Sequence, residues 1–392
     1  MSRRRVDPTV SPAEKTSVLK TGGAQPHGMG VFSHSDRRLI AVTIATAVAA
    51  GIFHYSDGNQ VLSFVVAAGA LATLASLVGR SVEALGDRLG AGATGVLQSF
   101  LGNLPEIFVI LFSLKAGLFE VVRATIVGSI LANILLIMGL AFLLGGLKHG
   151  RQHFNQHMSR QLALLLTLAV LALSIPTLTA ALHTPAAGHE RALTVVVSVL
   201  LLGLFLASLP DTLRRNNEEP HTTGDTDALA AKSEAENHGE WPLRLAIGML
   251  AIAGIGAAFV SDWFVAALTP ATATLGINDT FAGLIIVAIA GNAVENVVGI
   301  QLALKNQTEY ALQVILQSPV QVAMTVAPLI ALAAPLVGAG AFTLVLSPLL
   351  LAVLLMAAFV AVLVVVDGDS TWFEGASLVV LYLAIATAFW WG

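Results

Sequence analysis

Two acidic residues stand inside otherwise apolar stretches of this sequence. Glu106 lies in the stretch GNLPEIFVILFSLK, and Glu295 lies in the stretch GNAVENVVGIQLALK. An asparagine precedes each glutamate by three residues, at Asn103 and Asn292. Residues with this spacing share one face of a helix. An ionised carboxylate inside a bilayer costs at least ~2.5 kcal/mol, so each glutamate needs a partner or a function there.

Carboxylates grouped with amide and hydroxyl oxygens are suited to Ca²⁺ and other hard cations. Without a cation, two neighbouring carboxylates repel each other, which favours proton uptake by one of them. Cation and proton then compete for the same oxygens, and this competition is the chemistry of an antiporter. Neutral oxygens are expected from the helix that follows each glutamate, at Ser129, Asn133, Ser318 and Gln321. The alternatives are protonated packing residues for the glutamates and interhelical hydrogen bonding for the neutral residues.

The two motifs belong to an internal repeat. Ser129 follows Glu106 by 23 residues, and Ser318 follows Glu295 by the same 23 residues. The copies begin in the third and eighth apolar segments, and this odd offset makes them enter the membrane from opposite sides. The sequence therefore predicts an inverted-topology repeat, with the substrate site at the midplane where the copies meet.

A glycine precedes each asparagine of the motif, at Gly102 and Gly291, and Pro105 lies inside the first copy. These residues are consistent with helices that are broken at the site, where freed carbonyl groups bind a cation. Ordinary close packing of small residues is the alternative.

The elements that carry these motifs are predicted to be transmembrane helices. Of 392 residues, 56% are hydrophobic and 11% are charged, against roughly 25% charged in a soluble domain. The apolar runs approach the ~20 residues that cross a hydrocarbon core. The prediction is an all-α membrane protein with two inverted five-helix repeats and one extra N-terminal helix. Its eleven segments are 39–54, 61–85, 92–114, 119–147, 161–182, 191–209, 242–262, 278–304, 310–333, 341–366 and 374–391.

Charged and polar residues divide the chain into four parts. Residues 1–37 are predicted to be a disordered basic tail, and residues 210–241 an acidic linker, both in the cytosol. The first transmembrane half, 38–209, lies between the tail and the linker. The second transmembrane half, 242–392, follows the linker. With the N-terminus inside, only three basic residues fall on the far side, namely Lys115, Arg123 and Arg191. This asymmetry predicts the orientation in a cell (inner) membrane.

Other chemistry is not expected from this sequence. Cysteine is absent, which excludes disulfides and thiolate metal sites. His149, His153 and His157 follow one another at intervals of four and could bind a transition metal, but a solvated cytosolic stretch is favoured. No hydrolase, metalloprotease or phosphate-loop spacing stands out. We therefore expect no enzyme activity, no cofactor and no nucleic-acid partner.

The residues from Gly102 to Gly146 resemble the first repeat of the proton-coupled calcium exchangers of the cation/calcium exchanger superfamily. The stretch GNAVENVVGIQLALKNQTEYALQVILQSPVQVAM resembles their second repeat. The resemblance implies that Glu106 and Glu295 are the transport acids, with Asn103 and Asn292 beside them. It also implies that Glu83 is the acidic residue of the second helix, with a part in proton coupling.

Three positions depart from the pattern of that family. Family members commonly have histidine after the second glutamate, where this chain has Asn296. They commonly read GSS where it has Gln317-Ser318-Pro319, and the second-half counterpart of Glu83 is Thr269. Proton coupling is therefore expected to run through the glutamates.

The predicted function is export of Ca²⁺, or a similar divalent cation, from the cytosol in exchange for H⁺. The Leu-Pro-Glu of the first motif also resembles the sodium/calcium branch, so Na⁺ coupling is one alternative. A cation channel is the other, although channel filters are commonly built by several subunits rather than by duplication within one chain.

Overall fold

The computed structural model describes residues 32–56, 58–89, 101–218, 241–340 and 342–391. Within these residues the fold is almost entirely helical, with one short antiparallel sheet of β1 (Gln152–His153) and β2 (Asp369–Ser370). Most of the predicted basic tail and most of the acidic linker lie outside the described residues. The same holds for residues 90–100, which include the start of the third predicted apolar segment.

The first half of the chain folds into helices that follow the predicted apolar segments. Ser33 caps the first of them with its side chain, which accepts a hydrogen bond from the backbone N–H of Asp36. A π-helical segment, π1, interrupts the run from Phe119 to His149. The elements are α1 (His34–Tyr55), α2 (Gln60–Leu89), α3 (Leu104–Lys115), α4 (Phe119–Leu131), π1 (Ala132–Ile137), α5 (Met138–His149), α6 (Gln156–Ala181) and α7 (Glu190–Glu218).

The second half contains two further π-helical segments. They lie within the runs that carry Glu295 and Ser318, and a 3₁₀ turn at Ala334–Val337 ends the second run. The elements are α8 (Leu243–Leu275), α9 (Asp279–Phe281), π2 (Ala282–Val287), α10 (Ala288–Gly291), α11 (Ala293–Leu304), α12 (Thr308–Gln321), π3 (Val322–Val326), α13 (Ala327–Ala333), α14 (Pro348–Val364) and α15 (Trp372–Trp390).

Many of these helices are suited to crossing a membrane. Among the described residues, eight are long and apolar enough to do so. A ninth candidate is the pair Asp279–Gly291 and Glu295–Leu304, which is bent by 64°. Pro348–Val364 is a shorter apolar helix. The chain is therefore a predominantly helical membrane protein, as its composition predicted.

Two helices run past the predicted boundaries. Helix α1 begins at His34, inside the predicted tail, and α7 continues to Glu218, inside the predicted linker. The predicted boundaries were based on hydropathy, which indicates where a segment leaves the lipid rather than where its helix ends. A helix satisfies its own backbone hydrogen bonds and can therefore project beyond the lipid into water.

The helices that carry the motifs lie in the middle of the molecule. Of the candidate spans, Phe119–His149 is the most buried and α1 the least. Helix α4 packs directly against π2 at two glycines. A Cβ atom on Gly128 would lie 2.1 Å from the carbonyl oxygen of Leu284, and one on Gly283 would lie 2.6 Å from that of Val121. Small residues thus let the two halves approach closely, as in other membrane helix pairs.

Candidate cation site

Both motif glutamates lie in the first turn of a helix that starts beside a break. Glu106 follows the turn at Gly102 and Asn103, where α3 begins, and its side chain is 1% exposed. Glu295 follows Asn292, where α10 ends and α11 begins. The helix dipole is positive at an N-terminus, so both starts favour a negative charge. The break predicted at the second asparagine is therefore present, and at the first asparagine the structure shows the turn from which α3 begins.

Residues from both copies of the motif meet at the carboxylate of Glu106. The hydroxyl of Ser129 donates a hydrogen bond to Glu106 Oε1. Asn292 Nδ2 lies 3.2 Å from the same oxygen and 3.0 Å from Ser129 Oγ. Gly291 lies against the same side chain, since a Cβ atom there would be in ordinary van der Waals contact with Glu106 Cγ at 3.4 Å. The asparagine of the second motif therefore donates a hydrogen bond to the glutamate of the first motif.

The neutral residues predicted from the following helices join the same network. Asn133 Nδ2 donates to the carbonyl of Ser129 at 2.9 Å and to Ser318 Oγ at 3.3 Å. Ser318 Oγ in turn donates to Asn292 Oδ1 at 3.3 Å. These buried contacts extend the network from α4 and π1 across to α12.

Asn103 and Gln321 form a second link between the copies. Asn103 Nδ2 donates to Gln321 Oε1 at 3.0 Å, and both side chains are buried. The predicted neutral residues therefore all lie in contacts that join the two halves.

Two oxygens of the network have no donor among the described residues. They are Glu106 Oε2 and Asn133 Oδ1, and both are buried. Glu295 is partly buried and makes no hydrogen bond to another side chain in the described part of the chain. Free carboxylate and amide oxygens in a buried setting are suitable ligands for a hard cation.

The sequence matches the family described as sodium/calcium exchanger protein over residues 59–209 and 245–391. The chain belongs to this family. The match covers most of both transmembrane halves and leaves out the N-terminal tail, helix α1 and the linker.

Relatives in the family are similar in sequence to this chain over most of its length. A Ca²⁺/H⁺ antiporter of Synechocystis is 32% identical over 351 residues, which cover 86% of this chain and 92% of the relative. The Ca²⁺/H⁺ antiporter ChaA of Bacillus subtilis is also 32% identical, over 90% of this chain and 97% of the relative. The structure of native YfkE superposes with a TM-score of 0.73 at 30% identity, covering 91% of this chain and 99% of that one.

Glu83 lies away from the hydrogen-bond network of this family member. Its side chain is 57% exposed near the end of α2 and pairs with Arg80 at 3.2 Å. Arg80 also pairs with Asp36 at 3.0 Å, and its guanidinium lies over the ring of Trp241. Trp241, the last residue of the predicted linker, is thus buried against α1 and α2.

The three histidines do not form a metal site. No group of three or more potential metal-ligating side chains occurs among the described residues. His149 Nε2 instead lies 2.8 Å from the carbonyl oxygen of Leu304, to which Lys148 Nζ donates at 2.9 Å. These side chains cap the C-terminal end of the helix that carries Glu295. Sequence reasoning missed this contact, because nothing local relates residues more than 150 positions apart.

Proposed function

We propose that this protein is a secondary antiporter that exports Ca²⁺, or a similar divalent cation, from the cytosol in exchange for H⁺. The observation that carries the proposal is the buried carboxylate of Glu106, which is held by residues of both repeats and keeps one oxygen free. The names of relatives that match nearly the whole chain support the same activity and favour H⁺ over Na⁺ as the counter-ion.

The cation is proposed to bind between Glu106 and Glu295. Neutral oxygens would come from Asn103, Asn292, Ser129, Asn133, Ser318 and Gln321. When the cation leaves, the two carboxylates repel each other in a water-poor site, and protons bind in its place. Because cation and proton occupy the same oxygens in turn, the movement of one is coupled to the movement of the other. The transported ions are substrates, and no resident cofactor is needed for this exchange.

Glu83 is proposed to take part in proton coupling from its exposed position on α2. It is accessible to water and has Arg80 as its partner. Its role would be to pass protons between the cytosol and the buried glutamates, rather than to bind the cation.

The architecture proposed for this activity has eleven transmembrane helices in two inverted repeats, with the N-terminus in the cytosol. The equal spacing of the motifs and the meeting of both copies at Glu106 support it. Alternating access then arises when helices of the two repeats move around a fixed site.

Ion flux into inside-out membrane vesicles tests the function. An acidic vesicle interior is expected to drive Ca²⁺ uptake above its equilibrium level, and a protonophore that dissipates the pH gradient should abolish this uptake. A Na⁺ gradient imposed at equal pH on both sides should drive none. Uptake driven by Na⁺ alone would support the sodium-coupled alternative. Uptake that only equilibrates Ca²⁺ under every gradient would identify a channel.

A further inference from the structure

A second buried asparagine lies one turn beyond the network, on the helix of Glu295. Asn296 follows Asn292 by four residues, so both side chains lie on one face of α11. Its side chain is buried, with the residue 6% exposed, and its Oδ1 accepts no hydrogen bond from any residue that the structure describes. The hydrogen-bond network around Glu106 does not include it.

Contacts on either side fix the depth of Asn296 in the molecule. One turn earlier, Asn292 touches Ser129 and hydrogen-bonds Ser318. One turn later, Gly299 packs against two apolar side chains, since a Cβ atom there would lie 2.7 Å from Ile315 and 3.7 Å from Ile137. Asn296 therefore lies between the polar network and an apolar layer, about 5 Å along the helix from each.

Asn133 lies on π1, between residues of the same two layers. It is four residues after Ser129 and four before Ile137, the residues that define the two bracketing layers. Its amide orientation is fixed because Nδ2 donates to the carbonyl of Ser129 and to Ser318 Oγ. Oδ1 is therefore the atom that is left without a donor.

This layer lies on the cytosolic side of the network in the proposed orientation. Helices α5 and α11 both run from it to the end where Lys148 and His149 contact Leu304. A buried amide oxygen without a donor is destabilising, and it is satisfied when a water molecule or a cation binds. Two such oxygens between the same layers, with Glu295 directly before Asn296 in the chain, favour a cation over an anion.

We propose that Asn296, together with Asn133 at the edge of the first site, forms a second cation position on the cytosolic side of Glu106, which a partly hydrated divalent cation occupies on its way between the cytosol and the glutamates. Ile137, Gly299 and Ile315 form the apolar layer that separates this position from the cytosol. The inference rests on the proposed function and adds a residue, Asn296, that determines how the cation is captured.

Two substitutions separate this role from packing. Asn296→Leu keeps the size of the side chain and removes the oxygen, whereas Asn296→Asp keeps an oxygen and adds a charge. Ser198→Ala is the matched control, because Ser198 is also buried with an unpaired hydroxyl but lies on α7. Each variant is compared in inside-out vesicles for the KM of Ca²⁺ and for kcat, and in detergent for Ca²⁺ affinity and melting temperature.

Asn296→Leu is expected to raise the KM and weaken Ca²⁺ binding about tenfold, as the loss of an outer metal contact does elsewhere. Asn296→Asp is expected to lower both the KM and kcat, because a charged oxygen holds the cation longer. Ser198→Ala should change neither. If the wild type exchanges Ca²⁺ and Asn296→Leu has the same KM and Ca²⁺ affinity, the second cation position is overturned. The proposed exchange function would not be affected by that result. Equal loss of melting temperature and activity in both Asn296 variants, at constant KM, would also overturn the second cation position. Wild-type vesicles without exchange would refute the proposed function itself.

Discussion

Glu106 combines fixed geometry with a free ligand atom. Ser129 and Asn292 both bind its Oε1, while Oε2 has no donor among the described residues. An oxygen that is already satisfied positions the carboxylate, and the other is available to a cation or a proton. Glu295 differs, because its side chain makes no hydrogen bond to another side chain in the described part of the chain. In the proposed site the two glutamates would therefore differ, since the network positions Glu106 and does not hold Glu295.

Replacement of either glutamate by glutamine should abolish exchange. Glu106→Gln and Glu295→Gln each keep the shape of the side chain but remove the charge that binds the cation and the site that binds the proton. We expect flux to fall by at least about 100-fold, while the melting temperature stays the same or rises because a buried charge has been removed. Flux in vesicles and thermal melting in detergent measure the two effects.

Glu309→Gln is the matched control for these variants, because Glu309 lies exposed in the first turn of α12. It should exchange at the wild-type rate. Near-normal flux in either motif variant would rule out the proposed site.

Position 296 offers a direct test of proton coupling. Asn296→His places an imidazole, which titrates near pH ~6.5 in water, next to Glu295 and at the proposed second cation position. Below that pH the ring is positive and repels Ca²⁺, so the KM of Ca²⁺ should rise as pH falls from about 8 to 6 more steeply than in the wild type. Rate profiles at several pH values measure this. Parallel profiles, with activity lowered evenly, would indicate that position 296 only packs against its neighbours.

At the scale of the elements, non-α backbone lies beside the site in both halves. Segment π1 begins three residues after Ser129, and π3 begins four residues after Ser318. A third segment, π2, leads into the break at Asn292 and packs against α4. Single π-helical turns occur often at functional sites, where they alter the direction of side chains that an α-helix would place elsewhere. These segments lie beside the serines and asparagines of the network around Glu106.

The close approach of α4 to π2 should be essential for this positioning. In Gly128→Ala the new Cβ atom would collide with the carbonyl group of Leu284, and the backbone must move because no flexible side chain can give way. We expect a loss of ~1–3 kcal/mol in the free energy of unfolding. Exchange should also fall sharply, because the next residue is Ser129. Thermal melting and flux assays measure the two effects.

Gly79→Ala is the control for the glycine variant. Gly79 lies in α2, and a Cβ atom there would meet nothing within 4 Å. Alanine favours a helix by ~1 kcal/mol over glycine, so this variant should be as stable as the wild type or more so. If both alanine variants behave alike, the approach of α4 to π2 is not important for the site.

At the scale of the whole molecule, two groups of charged residues lie away from the central site. Glu120, Arg123, Glu190 and Thr343 line one shallow cavity. In the second group, Arg151 pairs with Asp369 at 2.8 Å, in the short sheet that joins the two halves. The proposed orientation places the first group outside the cell and the second in the cytosol, as the distribution of basic residues predicts.

Single cysteines can test this orientation, because the natural chain has none. Lys115 and His157 are both exposed and lie on opposite sides in the proposed topology. In intact cells, a membrane-impermeant thiol reagent should label Lys115→Cys. It should label His157→Cys only after the membrane is permeabilised. The reverse labelling pattern would show that the N-terminus lies outside the cell. The proposed direction of Ca²⁺ transport would then be reversed as well.

The sequence by itself determined which solvent surrounds the chain and which residues gather at its centre. Charge is scarce and apolar runs are long, so lipid is the only environment in which most of these helices are stable. The matched spacing of Glu106 with Ser129 and of Glu295 with Ser318 predicted the residues of the network, because a duplicated sequence places equivalent side chains in equivalent positions.

Only the tertiary structure decided how those residues pair. Asn292 binds Glu106, 186 positions away, and Asn103 binds Gln321, 218 positions away. The unpaired oxygen of Asn296 was equally hidden from the sequence. Periodicity and spacing describe one helix at a time, whereas these contacts depend on where helices break and how closely their backbones approach. The physical reason is that a hydrogen bond is lost within about an ångström of misplacement, a precision that only the packed helices provide.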